Sequence, residues 1–166
     1  MLVIAEHLVQ IDMKMLAAVY EGSNRENALS GINGQFSNLH YLESQNDFYD
    51  YLRYFLRDQN SFIAIWADND QYFSALRVEP YLDGVLFSGL ETAPSERRKG
   101  YATSLVQELI RYLKSRDVHR IYSHIKRDNA NSISVHKYCG FNKSLDYAKC
   151  IDGSVSRNMD TYSITL

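Results

Sequence analysis

A basic excess is missing from this sequence. Its 18 lysines and arginines are outnumbered by 20 aspartates and glutamates, for a formal net charge of -2. A nucleic-acid-binding surface usually shows the opposite balance, so no nucleic-acid partner is expected. Cysteine is scarce too. Cys139 and Cys150 are the only two, and they form neither a disulfide framework nor a metal-ligand spacing. A reducing, cytoplasmic setting and a site without metal are the expectation. Long apolar runs are also lacking. Leu2–Ala5 is too short for the apolar region of a signal peptide and has no basic stretch before it. No run reaches the roughly 20 residues needed to cross a bilayer, so no membrane partner is expected. Repeats and linkers are absent, and 166 residues suffice for one domain, 1–166, with its own core.

What is present alternates between strand and helix patterns. Leu2–Leu8 reads as a strand, Asp12 as an N-cap, and Met13–Glu21 as a helix through Leu16, Ala17 and Tyr20. Gly22 to Asn38 is polar and lacks periodicity, which predicts a long loop, with helix left open for part of it. Asp47–Arg57 predicts a helix with Phe48, Tyr51, Leu52, Phe55 and Leu56 on one face. Ser61–Ala67 and Tyr72–Val78 predict a hairpin turning at Asp68-Asn69-Asp70. A further strand, Val85–Thr92, contains Gly89, and an isolated strand glycine suggests a bulge. Ala102, Leu105, Val106, Leu109, Ile110 and Leu113 then recur at helical spacing. Arg120–Ile125 is a strand, Asn131–Tyr138 a short helix ended by Gly140, and Phe141–Cys150 and Met159–Leu166 are two last strands. A turn at Asp152-Gly153 lies between these two. Strand, helix, strand implies a right-handed crossover and a parallel pair within a mixed sheet, hence an α/β fold.

The informative stretch is Leu90 to Thr103, LETAPSERRKGYAT. It feeds a strand into a helix through a basic turn containing Gly100. The first N–H groups of a helix have no internal partner, and its dipole favours an anion there. Gly100 lets backbone approach a phosphate because it has no Cβ. The Walker pattern and the three-glycine dinucleotide fingerprint are both absent. What is present is Arg97-x-x-Gly100-x-Ala102, after Leu90-Glu91-Thr92-Ala93-Pro94. This resembles the [Q/R]-x-x-G-x-[G/A] signature of the GNAT superfamily of acyl-CoA N-acyltransferases, with its L-x-V-x-P lead-in. Asn129 to Phe141 resembles the family's N-x-x-A-x-x-x-Y-x-x-x-G-F segment, and the likeness extends over nearly the whole chain, most specifically from Val85 to Phe141.

The resemblance implies a single-domain GNAT fold: a mixed central sheet with a splayed parallel strand pair, flanked by helices. It implies an acyltransferase that moves an acetyl group from acetyl-CoA to a primary amine by direct attack. The expected acceptor is a small-molecule amine, and a homodimer is compatible with the family. A protein N-terminal or lysine acetyltransferase, transfer of a larger acyl group, or a non-catalytic acyl-CoA-binding module are the alternatives. The cofactor-binding residues implied are Leu90, Thr92, Arg97, Arg98, Lys99, Gly100, Tyr101, Ala102, Thr103 and Asn129.

Three chemical tasks follow. The oxyanion needs a donor, which the family takes from a backbone N–H on the bulged strand, here that of Leu90. The thiolate needs a proton, and His136 stands where many members carry a tyrosine; some, resembling phosphinothricin acetyltransferases, carry histidine. Tyr138, two residues on, is on another face and is read as packing. Cys139 is read as structural. The ammonium, with a reference pKa of about 10.4, needs a base. Glu91 is the nearest carboxylate and Glu79 the second; a water chain to either is open, and Leu86 occupies the place where histone-type members have a glutamate.

Overall fold

Both faces of the central strands are apolar, and each face builds its own core. In β2 (Phe62–Asp68), Ile63, Ile65 and Ala67 face one cluster, while Phe62, Ala64 and Trp66 face the other. A strand buried on both sides cannot show a simple alternation of apolar and polar residues. In the computed structural model, which describes residues 1–30, 38–68 and 70–166, such strands form the centre of a mixed sheet.

Among the described residues the elements run as follows. β1 (Leu2–Ala5), α1 (Met13–Val19), α2 (Glu21–Ser30) and α3 (Asn38–Phe55) come first. β2, β3 (Gln71–Tyr81) and β4 (Gly84–Thr92) form an antiparallel meander. α4 (Tyr101–Lys114) crosses over to β5 (Arg120–Lys126), which lies parallel to β4. α5 (Ala130–Tyr138), β6 (Asn142–Leu145), β7 (Ala148–Lys149), β8 (Val155–Ser156) and β9 (Met159–Thr165) close the chain. The seven-stranded sheet has the order β1-β2-β3-β4-β5-β9-β6, with β7 and β8 as a separate hairpin.

α4 covers one face. Its Leu105, Val106, Leu109 and Leu113 are buried against Leu76, Val78, Phe87, Ile121 and Phe141. Truncating one of these leucines to alanine typically costs about 2–5 kcal/mol, so this packing fixes where the N-terminus of α4 points. α1 and α3 cover the other face over β1 to β3, through Leu16, Val19, Leu52 and Phe55. The α/β class, the mixed sheet and the parallel pair are as the sequence implies. Asp12 caps α1, its carboxylate accepting from the Met15 N–H at 3.0 Å.

Four expectations need correction. The first strand ends at Ala5, not Leu8, because the Gln10 side chain accepts from the Glu6 and His7 N–H groups and bends the chain into a 3-10 turn. The stretch after Gly22, expected as a loop, is helical to Ser30; residues 31–37 lie outside the described residues. α2 lacks an apolar stripe because polar contacts hold it: Ser44 donates to the Asn24 carbonyl at 2.9 Å, and Arg25 pairs with Glu21 at 2.9 Å. α3 begins at Asn38, well before Asp47. The last segment is broken into β6 and β7, and Asp152-Gly153 closes the β7–β8 hairpin. The expected turn at Asp68-Asn69-Asp70 lies partly outside the described residues, at Asn69.

Candidate active site

The ladder between β4 and β5 is short. Val85 pairs with Ile121, Leu86 with Tyr122 and Phe87 with Ser123, and there the pairing ends. Beyond Phe87, β4 bulges. Arg77 of β3 pairs with Ser88 and Ala75 with Glu91, so Gly89 and Leu90 together oppose Leu76. Gly89 has φ +60°, a value that favours glycine, and the Arg77 guanidinium lies where a Cβ would be, 2.7 Å from the nearest nitrogen. The bulge unpairs the ladder and splays the parallel strands, leaving the β5-facing edge of β4 open from Ser88 to Thr92.

The open strand runs into the basic turn. Arg98 (φ +66°) and Gly100 (φ +87°) are both left-handed, and Gly100 is the N-cap of α4. Ser104 is bonded to the Gly100 carbonyl at 3.0 Å; the N–H groups of Tyr101, Ala102 and Thr103 precede that first helical bond. Nothing lies within 4 Å of a Cβ built at Gly100, so the space before the helix is open. Arg97 donates to the Thr92 carbonyl at 3.3 Å and lies 3.9 Å from Glu91. Lys99 pairs with Glu96 at 3.0 Å. Arg98 makes no ion pair with another described residue. The Tyr101 ring stacks on Phe73 at 4.4 Å, tying the turn to β3.

On the α4 side of the splay sits His136. It is 1% exposed, and its ring meets Phe141 edge-on at 5.0 Å; Phe141 in turn lies 6.1 Å from Phe87, the last paired residue of β4. Nδ1 lies 2.8 Å from the Ser132 carbonyl, which can only accept, so Nδ1 carries the hydrogen. Nε2 is buried with no partner among the described residues. Burial pushes the ring's pKa below its ordinary value, outweighing the Ser132 bond. Tyr138 points the other way and is 74% exposed, so it does not pack as the sequence suggested. Cys139 is buried with its thiol pushed up to about 11 by desolvation, in keeping with a structural role.

The opposite face of the splay is polar and aromatic. Glu79 is half-buried, and desolvation holds its carboxyl above the ordinary value against the pull of Arg77. Ser88 reaches Glu79 at 3.5 Å. Arg77 lies over the Tyr51 ring at 5.0 Å. His124 meets Tyr81 edge-on at 5.3 Å; its Nε2 is buried without a partner among the described residues, and burial lowers its pKa. Strand pairing sets these groups side by side: Glu79 opposes Leu86, and Leu86 opposes Tyr122.

Residues 27–141 match the sequence profile of the Acetyltransferase (GNAT) family. The chain belongs to that family. No curated protein matches it. Solved structures share its fold. The PaiA N-acetyltransferase from Thermoplasma acidophilum, in complex with coenzyme A, matches with a TM-score of 0.68 at 12% identity, covering 100% of this chain and 99% of its own. The ribosomal-protein-alanine N-acetyltransferase of Brucella melitensis matches with a TM-score of 0.66 at 22% identity, covering 99% of each chain. The ribosomal-protein-S18-alanine N-acetyltransferase of Escherichia coli gives 0.62 at 16% identity, with 99% and 94% covered.

Most of the expected acetyltransferase residues converge. Leu90, Thr92, Arg97, Arg98, Lys99, Gly100, Tyr101, Ala102 and Thr103 form one continuous path from the bulge to the helix. Asn129 caps α5, its side chain accepting from the Ser132 N–H at 3.0 Å. Glu91 is already engaged, by Ser23 Oγ at 2.5 Å and by Arg97. His124 and Arg77 were missed. The signal for His124 was available: it lies at the C-terminal end of a parallel strand, where α/β sheets place ligands. The aromatic stretch Tyr41–Phe55, which the sequence offers either as the wall of a pocket for a small amine or as core packing, is divided between the two; the Tyr41 side chain lies outside the described residues. Phe48, Leu52 and Phe55 join the core, whereas Tyr51 faces Arg77.

Proposed function

We propose that this protein transfers an acetyl group from acetyl-CoA to the primary amine of a small molecule, by direct attack within a ternary complex. The observation that carries the reading is the β4–β5 ladder that ends at Phe87 and opens onto the α4 N-terminus. The pantetheine arm pairs with the free edge of β4 at Leu90 and Thr92 and passes Asn129. The pyrophosphate rests on the N–H groups from Arg98 to Thr103, with Arg97, Arg98 and Lys99 supplying positive charge. The left-handed backbone at Arg98 and Gly100 and the open space before α4 fit a phosphate. Acetyl-CoA supplies the activated acyl group.

The chain's own groups divide the remaining work. The Leu90 N–H takes the thioester oxygen as it becomes an oxyanion. The amine enters on the face of Glu79, Ser88 and His124. Glu79 suits the base better than Glu91, because desolvation raises its pKa above the ordinary carboxylate value and makes it a stronger proton acceptor, whereas Glu91 is already engaged by Ser23 and Arg97. His136 stands at the sulfur. Its neutral form presents a bare Nε2, so it donates to the leaving thiolate only as imidazolium. Burial makes that form scarce at neutral pH, and its contribution is correspondingly modest.

The test is thiol release from acetyl-CoA across a panel of small primary amines and peptides with free amino termini. Propionyl-CoA and an amine-free hydrolysis control accompany it. Amine-dependent release with small amines is the expected result. Release with peptides alone would replace the acceptor class. Tight acetyl-CoA binding with no amine-dependent release would make the chain a binding module.

A further inference from the structure

The bulge is gripped from the acceptor-side helices. Tyr20, the residue that ends α1, donates its hydroxyl to the Gly89 carbonyl at 2.8 Å. Next to it, Ser23 of α2 donates to Glu91, and Gly22 packs on the Arg97 guanidinium, 2.6 Å from where a Cβ would be. The corner between α1 and α2 therefore touches β4 on both sides of Leu90.

The Gly89 carbonyl and the Leu90 N–H belong to one planar amide. In a trans amide the two groups point in opposite directions. A hydroxyl that fixes the oxygen also fixes the line along which the N–H points. A bond to the oxygen also polarises the amide and strengthens its N–H as a donor. An oxyanion donor is effective only when held in place beforehand, within about half an ångström. Gly89 is the interior glycine of β4, with φ +60° and no side chain to fix its backbone. Without an anchor, that amide has freedom where the reaction tolerates least. The Tyr20 ring is 3% exposed and packs on Phe48 at 4.7 Å, so the hydroxyl is presented from a rigid mount. Burial raises its pKa to about 12, which keeps the hydrogen on the oxygen at working pH.

We propose that Tyr20 is a positioning residue for acetyl transfer, holding the Gly89–Leu90 amide so that the Leu90 N–H meets the thioester oxygen. This rests on the reading of Leu90 as the oxyanion donor. Tyr20→Phe removes one hydroxyl and keeps the ring contact with Phe48. Its kcat falls by about tenfold, a fraction of the 10²–10³ that losing an oxyanion donor costs, while the KM for acetyl-CoA stays within about twofold. The decisive readout is the infrared carbonyl band of acetyl-CoA labelled with carbon-13 at the thioester. Binding to the unmodified protein moves this band to lower frequency, and the shift shrinks in Tyr20→Phe. Ser23→Ala is the control. It loosens the same corner without touching the amide, and it leaves the shift intact. An equal shift in the unmodified protein and Tyr20→Phe overturns the role of Tyr20. A band that does not move when acetyl-CoA binds the unmodified protein removes Leu90 as the donor. Failure of acetyl-CoA to bind at all refutes the acetyltransferase reading.

Discussion

Gly100→Val separates backbone strain from ligand exclusion, because the chain supplies a matched control. Gly100 has φ +87° and Gly153 has φ +84°, and neither would bring a Cβ within 4 Å of another group. Valine at either position thus meets the same left-handed penalty and no clash. That penalty is about 1–2 kcal/mol for an L-residue, and a β-branched side chain sits at its upper end. Gly153 lies in the β7–β8 turn, away from the N-terminus of α4. Both variants should therefore lose about 2–8 °C in Tm without ligand, at roughly 2–4 °C per kcal/mol for a chain of this size. Acetyl-CoA at a hundred times its Kd adds about 2.7 kcal/mol by mass action, or roughly 5–11 °C. Gly153→Val should keep that gain in full. Gly100→Val should lose most of it, since its side chain occupies the space where the phosphate would lie. Differential scanning fluorimetry at matched cofactor concentrations reads all four values. If Gly100→Val retained the same ligand-induced shift as Gly153→Val, the phosphate would not rest on this turn.

Two further outcomes follow from the buried titrating groups. His136 holds a lowered pKa in the folded chain, so the unfolded chain binds the proton first; its contribution to stability is complete above pH 6.5 and is lost as the pH falls toward the folded value. His136→Phe should flatten the loss of stability between pH 7.5 and 5.5 in urea titrations, and an unchanged slope would mean that the ring binds its proton equally well in the folded and unfolded chain. Glu79→Gln should lower kcat/KM for the amine by about a hundredfold while leaving acetyl-CoA affinity unchanged. Glu91→Gln should act mainly on the turn beside it, and a larger acceptor effect from Glu91→Gln than from Glu79→Gln would exchange their roles.

The strand-turn-helix unit from Gly89 to Ala102 was legible because its backbone requirements are local. Gly89, Arg97, Gly100 and Ala102 lie within one strand-turn-helix unit, where each residue's backbone requirement is set by its neighbours in sequence. The α4 stripe was equally plain, since a single helix face meets a single core. α2 was missed because polar contacts to α3 and β4 hold it, and such contacts leave no periodic trace. The polar face around Glu79 was read only through that one carboxylate, for a related reason. Arg77, Glu79, Ser88 and His124 come from three strands and meet through pairing registers that no single stretch encodes. The same distinction explains His136. Its spacing from Asn129 and Phe141 located it beside the splay, but spacing could not say which ring nitrogen carries the hydrogen. That is decided by the Ser132 carbonyl one helical turn back, together with the burial that Phe141 completes. A histidine standing where relatives use a phenol is thus not a like-for-like acid. A phenol stays protonated to about pH 10, whereas this imidazole is neutral with its free nitrogen bare. In the proposed reaction its share of the chemistry should rise toward acid pH, where its contribution to stability falls.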